Sequence, residues 1–240
     1  MHRIYTILSM SSGPLTHPLS LRGIVKSVQS GDTIVVRGRQ PGQERVLHLA
    51  HLQAPRVRRE GADEAYAWQA RDFLRTLLVN KEITFEITYT VPAAAGTSSA
   101  PPTSTAAGQQ MEFGDAIFVR PQNNDAPVDV AHAVVSAGCA KVRESRNVDQ
   151  EGESEKARKA VLREAEENAK NAGKGVWAAE PERYDVKFNM PEDPDRFLAE
   201  FGSAQGGKQL EACIEGVNNG STVRARLQTG ENTFHVVNVA

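Results

Sequence analysis

The residue with the clearest chemical potential lies near the start of the chain. Asp32 stands in a Gly-Asp-Thr triplet between two segments rich in β-branched residues, and its carboxylate could bind a cation. The same carboxylate could instead support a tight turn, because aspartate tolerates turn backbone and hydrogen-bonds to it. Asp32 is therefore a candidate metal ligand, with a turn residue as the simpler interpretation.

Basic residues are concentrated around this triplet. Between Arg22 and Arg59 the chain carries eight basic residues against two acidic ones, a net charge of +6, although the whole chain has a net charge of −2. Such asymmetry can create a phosphate-attracting face on an acidic protein. The alternative is a solvated, arginine-rich hairpin and loop. The candidate phosphate contacts flank a predicted strand and are Arg37, Arg39, Arg45, Arg56, Arg58 and Arg59.

Several other classes of protein are not indicated by the sequence. It contains no P-loop motif, no zinc-ligand spacing and no serine or cysteine triad signature. The two cysteines, Cys139 and Cys213, make no disulfide framework and predict reduced thiols. The sequence contains no run of about 18 apolar residues, so no membrane span is predicted. The first residues lack the apolar core and cleavage site of a secretory signal.

The first half of the chain shows a clear pattern of strands and one helix. The β-branched segments 22–29 and 33–37 predict a hairpin around the Gly-Asp turn. Residues 45–52 predict a third strand. Apolar residues at three- and four-residue spacing predict a helix over 62–80, and strict alternation predicts a strand over 82–91.

The second half of the pattern completes a small domain. Residues 92–110 are rich in Pro, Ala, Ser and Thr and predict a disordered insertion. A strand over 111–120 and helices over 128–137 and 155–172 follow, and Trp177 closes the unit. Five strands with an interposed helix suit an α+β oligonucleotide-binding (OB) barrel with three helices.

An internal repeat follows this domain. Residues 212–224 align with 23–35 without a gap, and Ser221 stands where the first copy has Asp32. A third strand is predicted over 234–239. Three strands cannot close a barrel, so we expect an incomplete second OB repeat. The predicted domains are a disordered tail at 1–20, the OB domain at 21–178, a linker at 179–196 and the truncated repeat at 197–240.

These motifs together resemble the staphylococcal nuclease domain. The resemblance rests on Gly-Asp-Thr at 31–33, on Pro55 after the third strand, on Gly-Cys-Ala-Lys-Val at 138–142 and on Gly-Val-Trp at 175–177. It is closest to the first nuclease-like repeat of the Tudor-SN proteins, an RNA-binding and RNA-silencing family. The resemblance independently implies the OB barrel.

The resemblance also implies a calcium site that this repeat has largely lost. In the active family members two aspartates and a backbone carbonyl hold calcium, a glutamate assists the attacking water, and two arginines neutralise the developing charge. Asp32 matches the first aspartate. The other four positions differ in residue type: His48 and Asp115 replace the arginines, Gln53 the second aspartate and Arg56 the glutamate. Calcium favours several carboxylates, so we expect no calcium cofactor and no catalysis here.

We therefore expect an RNA-binding or scaffold module of RNA silencing (RISC) and RNA decay. Its expected partners are RNA and ribonucleoprotein components, without a membrane, in the cytoplasm or in the cytoplasm and nucleus. One alternative is an active calcium-dependent phosphodiesterase that cleaves RNA or single-stranded DNA, including a rearranged site with Glu44, Glu60 or Asp63. Another is a protein-interaction module without RNA contact. Candidate stacking platforms for bases are Tyr66, Tyr89, Phe113 and Phe118, with core positions as the alternative for most of them.

Overall fold

The computed structural model describes most of the nuclease-like domain and the start of the repeat. The described residues are 21–40, 42–58, 62–92, 110–118, 127–144, 152–188, 211–217 and 219–239. The predicted tail at 1–20, the interior of the predicted insertion at 93–109, and Arg59 and Glu60 lie outside them. Among the described residues, no helix combines the length and apolar character that a membrane crossing needs.

The first domain is a closed five-stranded barrel with helices packed around it. Its five main strands form one sheet, in which a parallel pairing between the third and last of them closes the barrel. This confirms the predicted α+β OB fold. The barrel strands are β1 (Leu21–Ser30), β2 (Thr33–Arg37), β3 (Glu44–Leu49), β5 (Glu82–Pro92) and β6 (Gln110–Phe118), and the short strands are β4 (Leu52–Gln53), β7 (Val128–Asp129) and β8 (Lys141–Val142).

Three helices pack around the closed barrel and contribute to its apolar core. The helices are α1 (Ala67–Leu78), α2 (Val130–Ser136) and α3 (Glu153–Asn171), followed by a 3-10 turn at Gly175–Trp177. Buried apolar side chains of α1 and α3, such as Leu74 and Leu162, pack against strand residues such as Ile34 and Leu47. Both cysteines are free thiols, as predicted, and burial raises the pKa of Cys139 to about 12.

The first helix begins five residues later than the sequence pattern predicts. Residues 62–66 form a loop because their acidic side chains bind elsewhere. Asp63 accepts hydrogen bonds from the backbone N of Arg58 and from Trp68 Nε1, at 2.7 and 2.6 Å. Glu64 Oε2 accepts one from the backbone N of Arg56 at 3.1 Å. The predicted helix over 62–80 is therefore wrong at its start, and these acids instead fix the loop after β4.

Two other predicted elements also have different bounds. The third strand, predicted over 45–52, breaks after Leu49, because His51 has a left-handed backbone with φ of 62°. The helix predicted from residue 128 begins at Val130, because Asp129 caps it by accepting a hydrogen bond from the backbone N of His132. Both changes matter locally, since His51 and Asp129 lie beside the candidate site.

The repeat recurs in the structure as the same kind of hairpin. The second sheet contains β10 (Ala212–Val217), β11 (Val223–Gln228) and β12 (Thr233–Val239). The pair Val28–Ile34 in the first hairpin corresponds to the pair Val217–Val223 in the second, and each hairpin has an irregularity at the matching point of its first strand. The repeat therefore preserves the local register of the hairpin.

Part of the predicted linker takes part in this second sheet. The strand β9 (Asp185–Lys187) pairs in parallel with the first three residues of β12. Tyr184, just before it, packs on Phe234 with ring centroids 4.6 Å apart. The predicted domain boundaries stay a prediction, but residues 184–187 belong structurally with the second sheet.

The second sheet lies against α1 of the first barrel. The carboxylate of Glu215 accepts two hydrogen bonds from the guanidinium of Arg71, and Arg226 contacts both Glu215 and Asp72. The side chains of Arg226 and Glu215 are only 4% and 8% exposed. We call these four residues, with Trp68 and Phe234 on either side of Arg226, the inter-repeat interface.

Candidate functional site

Asp32 lies in the turn between β1 and β2, and its carboxylate is held there by hydrogen bonds. One oxygen accepts from the hydroxyls of Ser30 and Thr33, at 2.6 and 3.0 Å. The other accepts from the backbone N of Ala54 at 3.0 Å. The first oxygen thus stabilises the turn itself, and the second ties the turn to the segment after β4, which is a structural role. Cation binding by Asp32 stays a prediction.

His48 is an uncharged neighbour of this turn. Its Nδ1 lies 3.0 Å from the Thr33 hydroxyl, and its ring stacks on Phe113 with centroids 5.0 Å apart. Burial lowers the pKa of His48, Asp32 opposes this shift and Arg143 adds to it. His48 is therefore mostly neutral at pH 7 and does not replace a permanent arginine charge.

Gln53 and Arg56 leave the next two family positions without a carboxylate. Gln53 is exposed on β4, opposite Lys141 of β8. Arg56 is exposed and places a cation where a general base would be needed. The nearby carboxylate of Glu64 has a lowered pKa, mainly because it accepts the hydrogen bond from the Arg56 backbone and then because of Arg58. Sequence analysis did not identify Glu64 as part of the site, because the apolar spacing over 62–80 placed it in a helix and not in the loop.

Asp115 on β6 is bound by an arginine that comes from α3. Arg158 Nη2 donates to Asp115 Oδ1 at 3.0 Å, and the same guanidinium binds Asp129. The hydrogen bond to Asp129 is the main reason that the pKa of Arg158 is raised, despite burial. Burial is the largest single effect and would raise the pKa of Asp129, but the hydrogen bonds from Arg158 and from the backbone N of His132, together with the nearby positive charges, outweigh it, and the net shift is downward. Sequence analysis missed Arg158, which lies 43 residues from Asp115.

Of the three alternative acids, the two that the structure describes, Glu44 and Asp63, bind neighbouring protein groups. Glu44 Oε1 pairs with Lys26 on the exposed face of the hairpin at 2.6 Å. Asp63 is used by the loop before α1. Glu60 lies outside the described residues. Glu44 and Asp63 share no hydrogen-bond partner with Asp32 among the described residues.

Known proteins share this chain's sequence across both repeats. It is 33% identical to Ribonuclease TUDOR 2 of Arabidopsis thaliana over 230 residues, which cover 91% of this chain and 21% of the relative. It is 34% identical to Staphylococcal nuclease domain-containing protein 1 of Drosophila melanogaster, over 87% of this chain and 21% of the relative. The chain belongs to the Tudor-SN family. No protein-family model matches it, and it spans about a fifth of the length of these relatives.

The relatives place this Tudor-SN chain in a nuclease-like family. A relative from Schizosaccharomyces pombe, also named Staphylococcal nuclease domain-containing protein 1, is 28% identical over 90% of this chain and 22% of its own length. Matches of this extent cover the barrel and the second sheet together. The suspected family resemblance is therefore confirmed.

The candidate arginines of this Tudor-SN chain differ in how far their charge is available. Arg37 and Arg39 are exposed at the end of β2. Arg45 Nη1 pairs with Glu112 at 2.5 Å and Arg58 Nη2 with Glu64 at 3.1 Å. Arg59 lies outside the described residues. The described candidate arginines are exposed, but Arg45 and Arg58 already have a carboxylate partner, and phosphate binding by this set stays a prediction.

Two of the four candidate stacking residues come together beside His48. The rings of Tyr89 and Phe113 stack with centroids 4.8 Å apart and an interplanar angle of 10°. Phe118 is buried in the barrel core, and Tyr66 packs partly buried against that core. The stacked group of His48, Phe113 and Tyr89 is therefore the aromatic feature of the site.

A separate group of potential metal ligands lies at the inter-repeat interface. Ligand atoms of Asp72, Cys213 and Glu215 lie within 4.8 Å of one another. Each already faces an arginine: Arg226 binds Asp72, Arg71 binds Glu215, and Arg75 donates to Cys213 Sγ. The three guanidinium groups already supply the positive charge that a metal cation would bring, and they bind the same ligand groups. We therefore interpret the cluster of Asp72, Cys213 and Glu215 as part of an ion-pair network.

Proposed function

We propose that this Tudor-SN segment is an RNA-binding or scaffold module whose calcium nuclease site is largely lost. The observation that carries the proposal is what stands at the other four matched family positions: His48 with a lowered pKa, an exposed amide at Gln53, an exposed cation at Arg56, and Asp115, which is paired with Arg158. We also propose action in RNA silencing and RNA decay, with ribonucleoprotein partners, in the cytoplasm or in the cytoplasm and nucleus. Two relatives carry the name ribonuclease, which supports RNA as the ligand in this proposal.

The donor set around Asp32 does not fit calcium. Calcium takes about six to eight oxygen ligands, usually with several carboxylates. Here Asp32 supplies the one carboxylate among the matched family positions that is not already bound by an arginine, and both of its oxygens accept hydrogen bonds. Asp115 is neutralised by Arg158, and Arg56 would repel the ion. The residues at the matched positions therefore do not support a metal-assisted catalytic step.

The proposed loss of the calcium site leads to a prediction about nuclease activity. The full chain should not cleave single-stranded RNA or DNA in a calcium-dependent manner, because a base and a second carboxylate ligand are missing. Labelled oligonucleotides would be incubated with calcium or with a chelator and separated on a gel, with an active staphylococcal nuclease as positive control. Cleavage that requires calcium and disappears in Asp32→Ala would instead support the phosphodiesterase alternative.

The basic face predicts a second result, in RNA binding. The triple change of Arg56, Arg58 and Arg59 to Ala should weaken binding to single-stranded RNA and flatten its salt dependence. Each lost phosphate contact should reduce the log–log slope by roughly 0.7. Fluorescence anisotropy at several salt concentrations measures both quantities.

A matched triple variant separates local contacts from net charge. Lys156, Arg163 and Lys174 are exposed on or just after α3, and their replacement by Ala removes the same total charge from another face. This control should retain more affinity and a steeper slope than the arginine variant. Equal affinity and slope for the unaltered chain and the arginine variant would favour the protein-interaction alternative.

A further inference from the structure

Arg143 is a cation beside the stacked group of His48, Phe113 and Tyr89 that the sequence pattern did not indicate. Arg143 directly follows β8, and its backbone N donates a hydrogen bond to the carbonyl of His51 at 2.7 Å. The preceding residue, Val142, pairs with Leu52 of β4. Backbone contacts at Arg143 and at the preceding residue therefore fix where the Arg143 side chain leaves the chain.

The guanidinium of Arg143 rests on the stacked aromatic group. Its central carbon lies 5.6 Å from the centre of the Phe113 ring. Its charge acts on both flanking rings, since it contributes to lowering the pKa of His48 and opposes the burial that raises the pKa of Tyr89. Arg143 therefore lies close to all three rings of the group.

Arg143 differs from the other arginines near the site in its partners. Arg45, Arg58 and Arg158 each pair with a carboxylate at 2.5 to 3.1 Å. Across the ranges that the structure describes, Arg143 forms no such ion pair, and its side-chain contact is with the Phe113 ring. A guanidinium stacked on a ring keeps its in-plane N–H donors for another acceptor. Its charge is half-buried and orientated, but not neutralised by a described carboxylate.

We propose that Arg143 binds a phosphate of the backbone of single-stranded RNA. The planar fork of arginine matches two phosphate oxygens, and the neighbouring Tyr89 hydroxyl remains protonated and able to donate, because burial raises its pKa. This inference rests on the proposed function and deepens it, since it places a phosphate contact beside His48, one of the altered family positions. Among the other nearby charges, Asp32 acts on His48, and Asp115, Glu155 and Lys159 act on Tyr89.

The test compares RNA binding by the full chain with two substitutions of this residue. Arg143→Ala should raise the Kd for a single-stranded oligouridine about tenfold, as expected for one charge-assisted hydrogen-bonded contact. It should also reduce the salt slope by roughly 0.7. Arg143→Gln keeps a planar group over Phe113 and should show the same loss of slope, so it serves if the alanine variant folds poorly. Circular dichroism melting checks folding.

Arg163→Ala is the matched control, because Arg163 is exposed and already paired with Glu144 at 2.9 Å. It should bind RNA like the unaltered chain. Wild-type Kd and slope in a folded Arg143→Gln variant would overturn the Arg143 inference while leaving the proposed function intact. Failure of the unaltered chain to bind RNA in a salt-dependent manner would overturn the RNA-binding form of the proposed function, and this inference with it.

Discussion

Substitution of Gly114 by Ala is expected to prevent the first barrel from folding. Gly114 lies on β6 where β3 and β5 both pair with it. An added Cβ would lie 1.9 Å from the carbonyl oxygen of Glu86 and 3.1 Å from a methyl group of Leu47. The clash is with backbone, so a strand of a closed barrel must move. We expect a loss of about 4 kcal/mol or more, a large part of the stability of a domain of this size.

The measurement is urea or thermal unfolding followed by circular dichroism. Gly216→Ala is the matched control, because Gly216 also lies in a strand and no atom of a neighbouring group lies within 4 Å of the position that a Cβ would take there. The control should change the free energy of unfolding by less than about 1 kcal/mol. A Gly114→Ala protein that melts at the wild-type temperature would mean that β5 moves aside at Glu86 without cost, contrary to this prediction.

Replacement of Arg226 by Ala is expected to release the second sheet from α1. Arg226 binds Asp72, lies 3.3 Å from Glu215 through Nε, and has its guanidinium between Trp68 and Phe234 at 4.9 and 5.1 Å. Removal of one partner from a buried ion pair typically costs about 3–5 kcal/mol, because the remaining charge is left buried. The retained pair of Arg71 with Glu215 places the expected loss near the lower end.

Hydrogen exchange followed by mass spectrometry reads this release directly. Amides of β10 and β11 should exchange faster in Arg226→Ala, whereas those of β1 and β2 should be unchanged. Arg224→Ala is the control, because the Arg224 side chain is exposed on the same strand and its guanidinium lies 5.8 Å from the centre of the exposed Phe188 ring. Unchanged protection of β10 and β11 in Arg226→Ala would show that the contacts with α1 do not hold the second sheet.

The barrel could be predicted because its signals are local. Alternation along β5, the turn at Asp32 and the repeated hairpin each need only a few neighbouring residues, and all three appear in the structure. The start of α1 could not be predicted, because a helical pattern does not show that Asp63 and Glu64 are engaged by the backbone of the preceding loop. Local competition for hydrogen bonds decided that boundary.

The charge pairings of the site depend on distant residues. Arg158 reaches Asp115 across 43 positions, and Arg226 reaches Asp72 across 154. A count of charges along the chain predicted a basic segment but could not show that Arg45 and Arg58 are paired while Arg143 rests on an aromatic ring. The family resemblance identified which residue types had changed, but their new partners required the folded structure.

The inter-repeat interface has a consequence for how such chains can be inherited and recombined. Arg71 and Asp72 are adjacent on α1 and meet an acid and a base, Glu215 and Arg226, from the following repeat. If one repeat were exchanged for another with a different charge at any of these positions, a like pair or a lone ion would be enclosed. Compensating substitutions must therefore arise in both segments. We therefore expect the two neighbouring repeats to be exchanged more readily as a pair than singly, although the sequence periodicity marks each repeat separately.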